Sequence, residues 1–163
     1  MSTAAQLGPV LEEHDSTLAV AESATGGSVC SKVTAVPGAS AYFIGGMVTY
    51  AYGAKLQQLG VPREELDNHG AVSEQVARSM ARGIRDRFDV TWGLSVTGVA
   101  GPTGGSTDTP IGTMYIGIAH AGEWGTEATW TEAHHHVCDG TRESIIEEAG
   151  EMALSLLLSA LEH

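Results

Sequence analysis

The chain has little positive charge and few cysteines. Among 163 residues, 8 Lys+Arg stand against 20 Asp+Glu, so the formal net charge is −12 with histidine neutral. This surplus of carboxylates repels phosphate backbones and anionic lipid surfaces, which argues against nucleic acid and membranes as partners. Cys30 and Cys138 are too few for a disulfide framework and lack metal-ligand spacing. The N-terminal residues show no basic stretch followed by an apolar segment, as a secretory signal would. Together with the two cysteines, this predicts a cytoplasmic protein.

Long apolar runs, linkers and internal repeats are also missing. The longest apolar run, around Leu156–Leu158, falls far short of the ~18 residues that a membrane span needs. A hydrophobic fraction of 42% with 17% charged residues still suffices for a core. We therefore expect one soluble domain over residues 1–163, in which residues 161–163 resemble the start of an expression tag.

Hydrophobic patterning predicts strands alternating with helices. Ser73–Phe88 has an N-cap serine and an apolar residue at every fourth position, which indicates an amphipathic helix. Short apolar runs at Leu18–Ala21 and Trp92–Val96 predict buried strands, and the pair Gly45-Gly46 indicates a bulge or a close backbone approach. The other expected helices are one within Ala4–His14 whose regular part begins near Pro9, one at Val29–Val33, one at Ala51–Leu59 and a long one from Thr141. The other expected strands are Tyr42–Tyr50, Met114–Ala119 and Glu127–His135, the last two joined through residues 122–125. This order favours a three-layer α/β/α domain with a mixed sheet.

Ser23 lies where a predicted strand gives way to a predicted helix. At such a junction its hydroxyl projects over the sheet edge, and the helix N-terminal amides near Thr25, Gly26 and Gly27 can hold an anion or oxyanion. This position suits a nucleophile. It suits equally a serine that only caps the helix.

A serine nucleophile needs a base, and none of the seven histidines has an evident orienting carboxylate. The run His134–His136 points to alternating faces of a strand, so we expect no metal site there. Lys55 follows Tyr50 by five residues, which lets the amine and the phenol face one cleft. Lys55 can act as a base only if burial lowers its pKa well below ~10.4. The alternative is an exposed surface lysine.

A glycine-rich loop and one arginine offer anion-binding groups. The segment from Gly98 to Ser106 (GVAGPTGGS) supplies backbone amides and hydroxyls, although it is not a P-loop. Arg142, beside Thr141 at the start of the last helix, suits an anion clamp, a salt bridge or a solvent-exposed position.

Several of these segments together resemble the CinA C-terminal family, whose characterised members act as nicotinamide-nucleotide amidohydrolases. The matching stretches, in chain order, are Ala21–Gly27 (AESATGG), Val36–Tyr50 (VPGASAYFIGGMVTY), Ala54–Val61 (AKLQQLGV), His69–Ser73 (HGAVS), Val96–Gly105 (VTGVAGPTGG) and Pro110–Thr113 (PIGT). Asp139-Gly140-Thr141-Arg142 departs by one residue from the family's usual Gly-Asp-Arg order.

The resemblance implies a serine hydrolase that converts nicotinamide mononucleotide to nicotinate mononucleotide and ammonia. Ser23 then matches the nucleophile, Lys55 the base and Tyr50 the assisting phenol. The substrate-binding residues expected from the loops and the resemblance are Thr25, Gly26, Gly27, Gly46, Thr97, Gly98, Gly101 and Arg142. No metal or cofactor is implied, and the expected partners are a nucleotide substrate and a second copy of the chain in a homodimer or higher homo-oligomer.

The rival hypothesis is a non-catalytic nucleotide-binding or competence- and damage-associated interaction domain with the same fold. The retained Ser23, Tyr50 and Lys55 argue against it. A DNA-binding role fits still less well, because the acidic chain shows no basic stripe.

Overall fold

A mixed sheet of five strands forms the centre of the protein, in the spatial order β2-β1-β3-β4-β5. The computed structural model describes residues 1–123 and 125–163. The strands are β1 (Leu18–Glu22), β2 (Phe43–Val48), β3 (Trp92–Gly98), β4 (Thr113–His120) and β5 (Trp130–Val137). β1 pairs in parallel with β2 and β3, while β4 and β5 continue the sheet antiparallel. Every residue of β1 is buried, as expected for a strand covered on both faces.

Helices cover both faces of the sheet, which confirms the predicted three-layer α/β/α architecture. They are α1 (Thr3–Glu13), α2 (Ser28–Thr34), α3 (Tyr52–Leu59), α4 (Arg63–His69), α5 (Glu74–Phe88) and α6 (Arg142–Leu161). α1, α2 and α6 pack around Leu7, Leu94 and Leu154 on one face, and α3, α4 and α5 pack around Leu66 and Met80 on the other. Within the described residues, none of these helices combines the length and apolarity needed to cross a bilayer.

The prediction that the first helix becomes regular near Pro9 is wrong. α1 begins at Thr3, where the Ser2 hydroxyl accepts a hydrogen bond from the Ala5 amide, and Pro9 lies exposed inside the helix. Proline removes one backbone hydrogen bond there. The buried Leu7 and Leu11 keep the helix on the core despite that loss.

One further helix and one strand boundary differ from those expected. α4 was not predicted, because its sequence REELDNH is short and polar and only Leu66 is buried. β5 begins at Trp130, three residues after the predicted start at Glu127. The expected connecting region, 122–125, includes residue 124, which lies outside the described residues.

The glycine pair in β2 combines a bulge with close packing, as predicted. Leu18 of β1 opposes Phe43, but Ala19 already opposes Gly45, so β2 carries one extra residue. A Cβ added at Gly45 would lie 2.6 Å from the Phe88 ring. One added at Gly46 would lie 2.5 Å from the Cys30 Sγ and 2.7 Å from the carbonyl oxygen of Val20.

Gly46→Ala is expected to lower the free energy of unfolding by about 1–3 kcal/mol, because the new methyl group overlaps a backbone carbonyl that cannot move freely. Urea denaturation measures this change. Gly53→Ala in α3 is the matched control: its Cβ meets nothing within 4 Å, so stability should stay constant or rise by up to ~1 kcal/mol. Equal unfolding midpoints for Gly46→Ala and the wild type would contradict this packing.

Candidate active site

The carboxyl ends of the three parallel strands meet at one edge of the sheet. β1 lies between β2 and β3, and the chain reaches β2 through α2 on one face but returns to β3 through α3, α4 and α5 on the other. Such a switch in direction opens a crevice beyond the strand ends, where α/β proteins commonly bind ligands. Here the crevice is a cavity of about 240 Å³.

Seven of the predicted site residues line this cavity. They are Ser23, Tyr50, Lys55, Thr97, Gly98, Gly101 and Arg142. In the described part of the chain no histidine lines it, which leaves Lys55 as the basic side chain beside Ser23.

Lys55 is buried, with 0% of its surface exposed. Its Nζ lies 2.9 Å from the Ser23 Oγ, 2.6 Å from the carbonyl oxygen of Thr49 and 3.1 Å from that of Tyr50. Burial lowers the pKa of Lys55 from its usual value of 10.5 to about 8. The first turn of α3 acts in the same direction, because a helix N-terminus disfavours a positive charge. The expectation of a surface-exposed lysine is therefore excluded.

The two carbonyl groups also orient the amine. A neutral lysine has two N–H donors and one lone pair, and a carbonyl oxygen can only accept. If Thr49 and Tyr50 take the two donors, the lone pair points to the remaining neighbour, the Ser23 hydroxyl. In that arrangement the lone pair of a neutral Lys55 faces the Ser23 hydroxyl.

Glu22, which sequence reasoning did not single out, fixes the turn that carries Ser23. Its buried carboxylate accepts hydrogen bonds from the Thr25 hydroxyl at 2.6 Å and from three backbone amides at the start of α2. Those amides belong to Gly27, Val29 and Cys30, at 2.9–3.1 Å. Glu22 rather than Ser23 therefore caps α2, so the reading of Ser23 as a simple helix cap is wrong.

This capping changes the roles expected at the start of α2. The amide of Gly27 and the hydroxyl of Thr25 are bonded to Glu22, and the Gly26 amide donates to the carbonyl of Ser23. The structure does not bring Thr25, Gly26 or Gly27 to the cavity wall. Gly46 lies away from that wall too, packed against Cys30 of α2.

Tyr50 contacts Lys55 through its backbone carbonyl group, whereas the sequence predicted a role for its phenol. Its carbonyl oxygen accepts from Lys55, while its hydroxyl lies 3.2 Å from Nη2 of Arg142. The ring is 61% exposed at the cavity mouth. Arg142 donates also to the carbonyl oxygen of Gly101, at 2.6 Å, so the guanidinium joins the end of β2 to the glycine-rich loop.

Thr97 holds another wall of the cavity. Its buried hydroxyl donates to the carbonyl of Ala71 at 2.8 Å and so ties the segment before α5 to the end of β3. Ala71 and Val72 line the cavity as a result, although sequence reasoning assigned them no role. Gly98 leaves room for Met114, whose Sδ would lie 2.1 Å from an added Cβ.

The fold and site thus define an α/β protein with a buried serine–lysine pair at the switch point of its sheet. The chain belongs to the CinA C-terminal domain family, which it matches over residues 1–161. It is 50% identical over 118 residues to a CinA-like protein from a Cyanothece species, an alignment that covers 72% of this chain and 28% of that protein. The curated relatives are longer, and the chain spans only 26–36% of their length in the best matches.

Solved structures show the same fold. The competence damage-inducible protein A from Klebsiella pneumoniae superposes with a TM-score of 0.91 at 30% identity, covering 99% of this chain and 96% of that one. The competence/damage inducible protein CihA from Agrobacterium tumefaciens gives a TM-score of 0.90 at 32% identity, covering 99% and 94%.

Glu22→Gln tests the capping carboxylate. The amide keeps one oxygen but replaces the other with an NH2 group that faces a backbone donor, so we expect a loss of about 2 kcal/mol in the free energy of unfolding. Chemical denaturation measures it, with the exposed Glu13→Gln in α1 as the control of equal charge change. Equal stability of the two variants would show that the carboxylate is dispensable for the turn.

Proposed function

We propose that the protein is an amidohydrolase that removes ammonia from the carboxamide of nicotinamide mononucleotide. The observation that carries the proposal is the 2.9 Å contact between the Ser23 Oγ and a buried lysine whose pKa is lowered to about 8. An alcohol beside a partly neutral amine suits nucleophilic attack on an acyl carbon. The substrate is taken from the family resemblance.

In the first step, neutral Lys55 takes the proton of Ser23 as its Oγ attacks the carboxamide carbon. With a pKa near 8, roughly a tenth of the lysine is neutral at pH 7. The tetrahedral intermediate then places a negative charge on the former carbonyl oxygen. The backbone amide of Ala24 directly follows the nucleophile, and Ala24 lines the cavity. Among the described residues this amide donates to no other protein atom, and we assign it to the oxyanion.

In the second step, the C–N bond breaks and the protonated Lys55 returns its proton to the leaving nitrogen, which departs as ammonia. A water molecule then attacks the acyl-serine carbon while Lys55 takes one of its protons. Breaking the acyl–oxygen bond releases the carboxylic acid, which loses its proton to solvent, and Lys55 returns the proton that it took from water to Ser23. Lys55 thus acts first as base, then as acid, in each half of the reaction.

The phosphate of the substrate is assigned to the cavity mouth. Arg142 uses one donor on Gly101 and one on Tyr50, which fixes its guanidinium while leaving further N–H donors free. The neighbouring loop contributes the backbone of Gly101 and Gly104 to the cavity wall. A fixed guanidinium with nearby amides is a common arrangement for binding a phosphate.

Ser23→Ala and Lys55→Met are each expected to lower kcat/KM for nicotinamide mononucleotide by at least about a thousandfold, because nucleophile and base act as one unit. Released ammonia is measured. Lys32→Met is the matched control, since this second lysine forms ion pairs with Glu147 and Glu151 on the surface, so its loss should leave turnover unchanged. A wild type that binds the nucleotide without releasing ammonia would favour the binding-domain hypothesis. Full activity of Lys55→Met would remove lysine from the mechanism.

The pH dependence follows from the protonation state of Lys55. Only the neutral amine accepts a proton, so kcat/KM should rise about tenfold per pH unit below the pKa and level off above pH 8. Steady-state rates in a buffer series of constant ionic strength give the profile. A rate that falls between pH 6 and 8 would have the opposite sign and would exclude Lys55 as the general base.

A further inference from the structure

Three metal-ligating side chains converge away from the proposed active site, where β5 ends beside α6. The ligand atoms of His136, Cys138 and Glu148 all lie within 4.8 Å of one another. His136 lies near the end of β5, and Cys138 follows the strand directly and is buried in the core cluster that includes Ile145 of α6. Glu148 reaches them from the second turn of α6.

The position of His136 explains why sequence reasoning expected no metal site here. Three consecutive histidines on a strand cannot converge, and His135 indeed stacks on Tyr115 of β4, with ring centroids 4.7 Å apart. The residues that do converge are His136 and Cys138, which are separated by one residue, and Glu148 of α6, which lies 10 residues after Cys138. Only the tertiary structure brings these three together.

The distances suit a small tetrahedral ion. Zinc binds nitrogen, oxygen and thiolate sulfur at ~2.0–2.3 Å, which places the ligand atoms roughly 3.3–3.8 Å from each other. His136 Nε2 and a carboxylate oxygen of Glu148 are already 3.8 Å apart. The Cys138 side chain is buried, whereas His136 is half-buried and Glu148 is exposed, so solvent can fill a fourth position.

We propose that His136, Cys138 and Glu148 bind one divalent cation of the zinc class. Binding forms a metal–sulfur bond at Cys138 and releases the thiol proton to solvent, while His136 and Glu148 donate lone pairs. The mixed nitrogen, sulfur and oxygen set favours zinc over magnesium or calcium, which prefer oxygen alone.

Such an ion would tie the end of β5 to α6 across the short connection 138–141, which itself carries Cys138. Arg142 follows that connection directly, so the ion would restrain the segment that delivers the guanidinium to Gly101 and Tyr50. The role at Arg142 rests on the proposed function. Metal binding itself does not, and the experiment below reads binding without measuring turnover.

The test uses the full chain without a polyhistidine tag, stripped by a chelator and titrated with Co²⁺ and then with Zn²⁺. We expect one Co²⁺ per chain with a thiolate-to-cobalt charge-transfer band, which added Zn²⁺ abolishes. Cys138→Ser should lose the band, and His136→Ala and Glu148→Gln should weaken binding about tenfold or more. Because Glu148 is exposed, Glu148→Gln tests the site even if the buried cysteine cannot be replaced without unfolding.

Two residues outside the cluster provide matched controls. Cys30→Ser changes the other thiol, and His135→Ala removes the histidine on the opposite face of the strand, so both should keep wild-type affinity and the charge-transfer band. Absence of that band in the wild type would overturn the proposal. So would unchanged affinity in His136→Ala and Glu148→Gln, or a band that disappears with Cys30 instead of Cys138.

Discussion

The burial of Lys55 against Ser23 is the constraint on which the proposed chemistry depends. A pKa that falls from 10.5 to about 8 corresponds to roughly 3 kcal/mol disfavouring the charged amine in the folded protein. Folding offsets this cost with hydrogen bonds to the Ser23 hydroxyl and to the carbonyl oxygens of Thr49 and Tyr50. Both carbonyls belong to the link between β2 and α3. The same link therefore orients the amine and brings α3 over the sheet, so a change in its path would disturb both.

Ser23 lies between two buried charged residues with separate tasks. Glu22 precedes it in β1 and turns its carboxylate to the amides of α2, where four donors satisfy its two oxygens. Burial is the main cause of the lowered pKa of Lys55, and the hydrogen-bond partners of its amine are a hydroxyl and two backbone carbonyls. This separation matters because a free carboxylate beside the amine would stabilise the ammonium and raise its pKa. By capping α2, Glu22 fixes the serine turn without protonating the base.

The sequence predicted the architecture better than the details of the site. The fourfold spacing in α5 and the apolar runs of β1 and β3 depend on local periodicity, which a single sequence displays directly. The pairing of Ser23 with Lys55 was expected from the family resemblance, whereas spacing alone predicted only that Lys55 and Tyr50 share a cleft. Glu22 was missed because a glutamate is seldom fully buried, and its burial here depends on the backbone donors that the start of α2 presents to it. Tyr50 was assigned a role for its phenol, whereas backbone carbonyl contacts leave no signal in residue type.

The net negative charge of the protein is compatible with the proposed anionic substrate, because charges far from the cavity act on it only weakly. None of the described residues that line the cavity is Asp or Glu, although the chain has a net charge of −12. At physiological ionic strength the Debye length is about 8 Å, so exposed carboxylates farther than this from a ligand are largely screened. The groups at the mouth then dominate. Arg142 is held there by Tyr50 and Gly101, and in the proposed function this fixed position would reduce the entropy lost on binding a phosphate. A single restrained guanidinium would then provide local attraction without making the whole surface basic, which would invite nucleic acid.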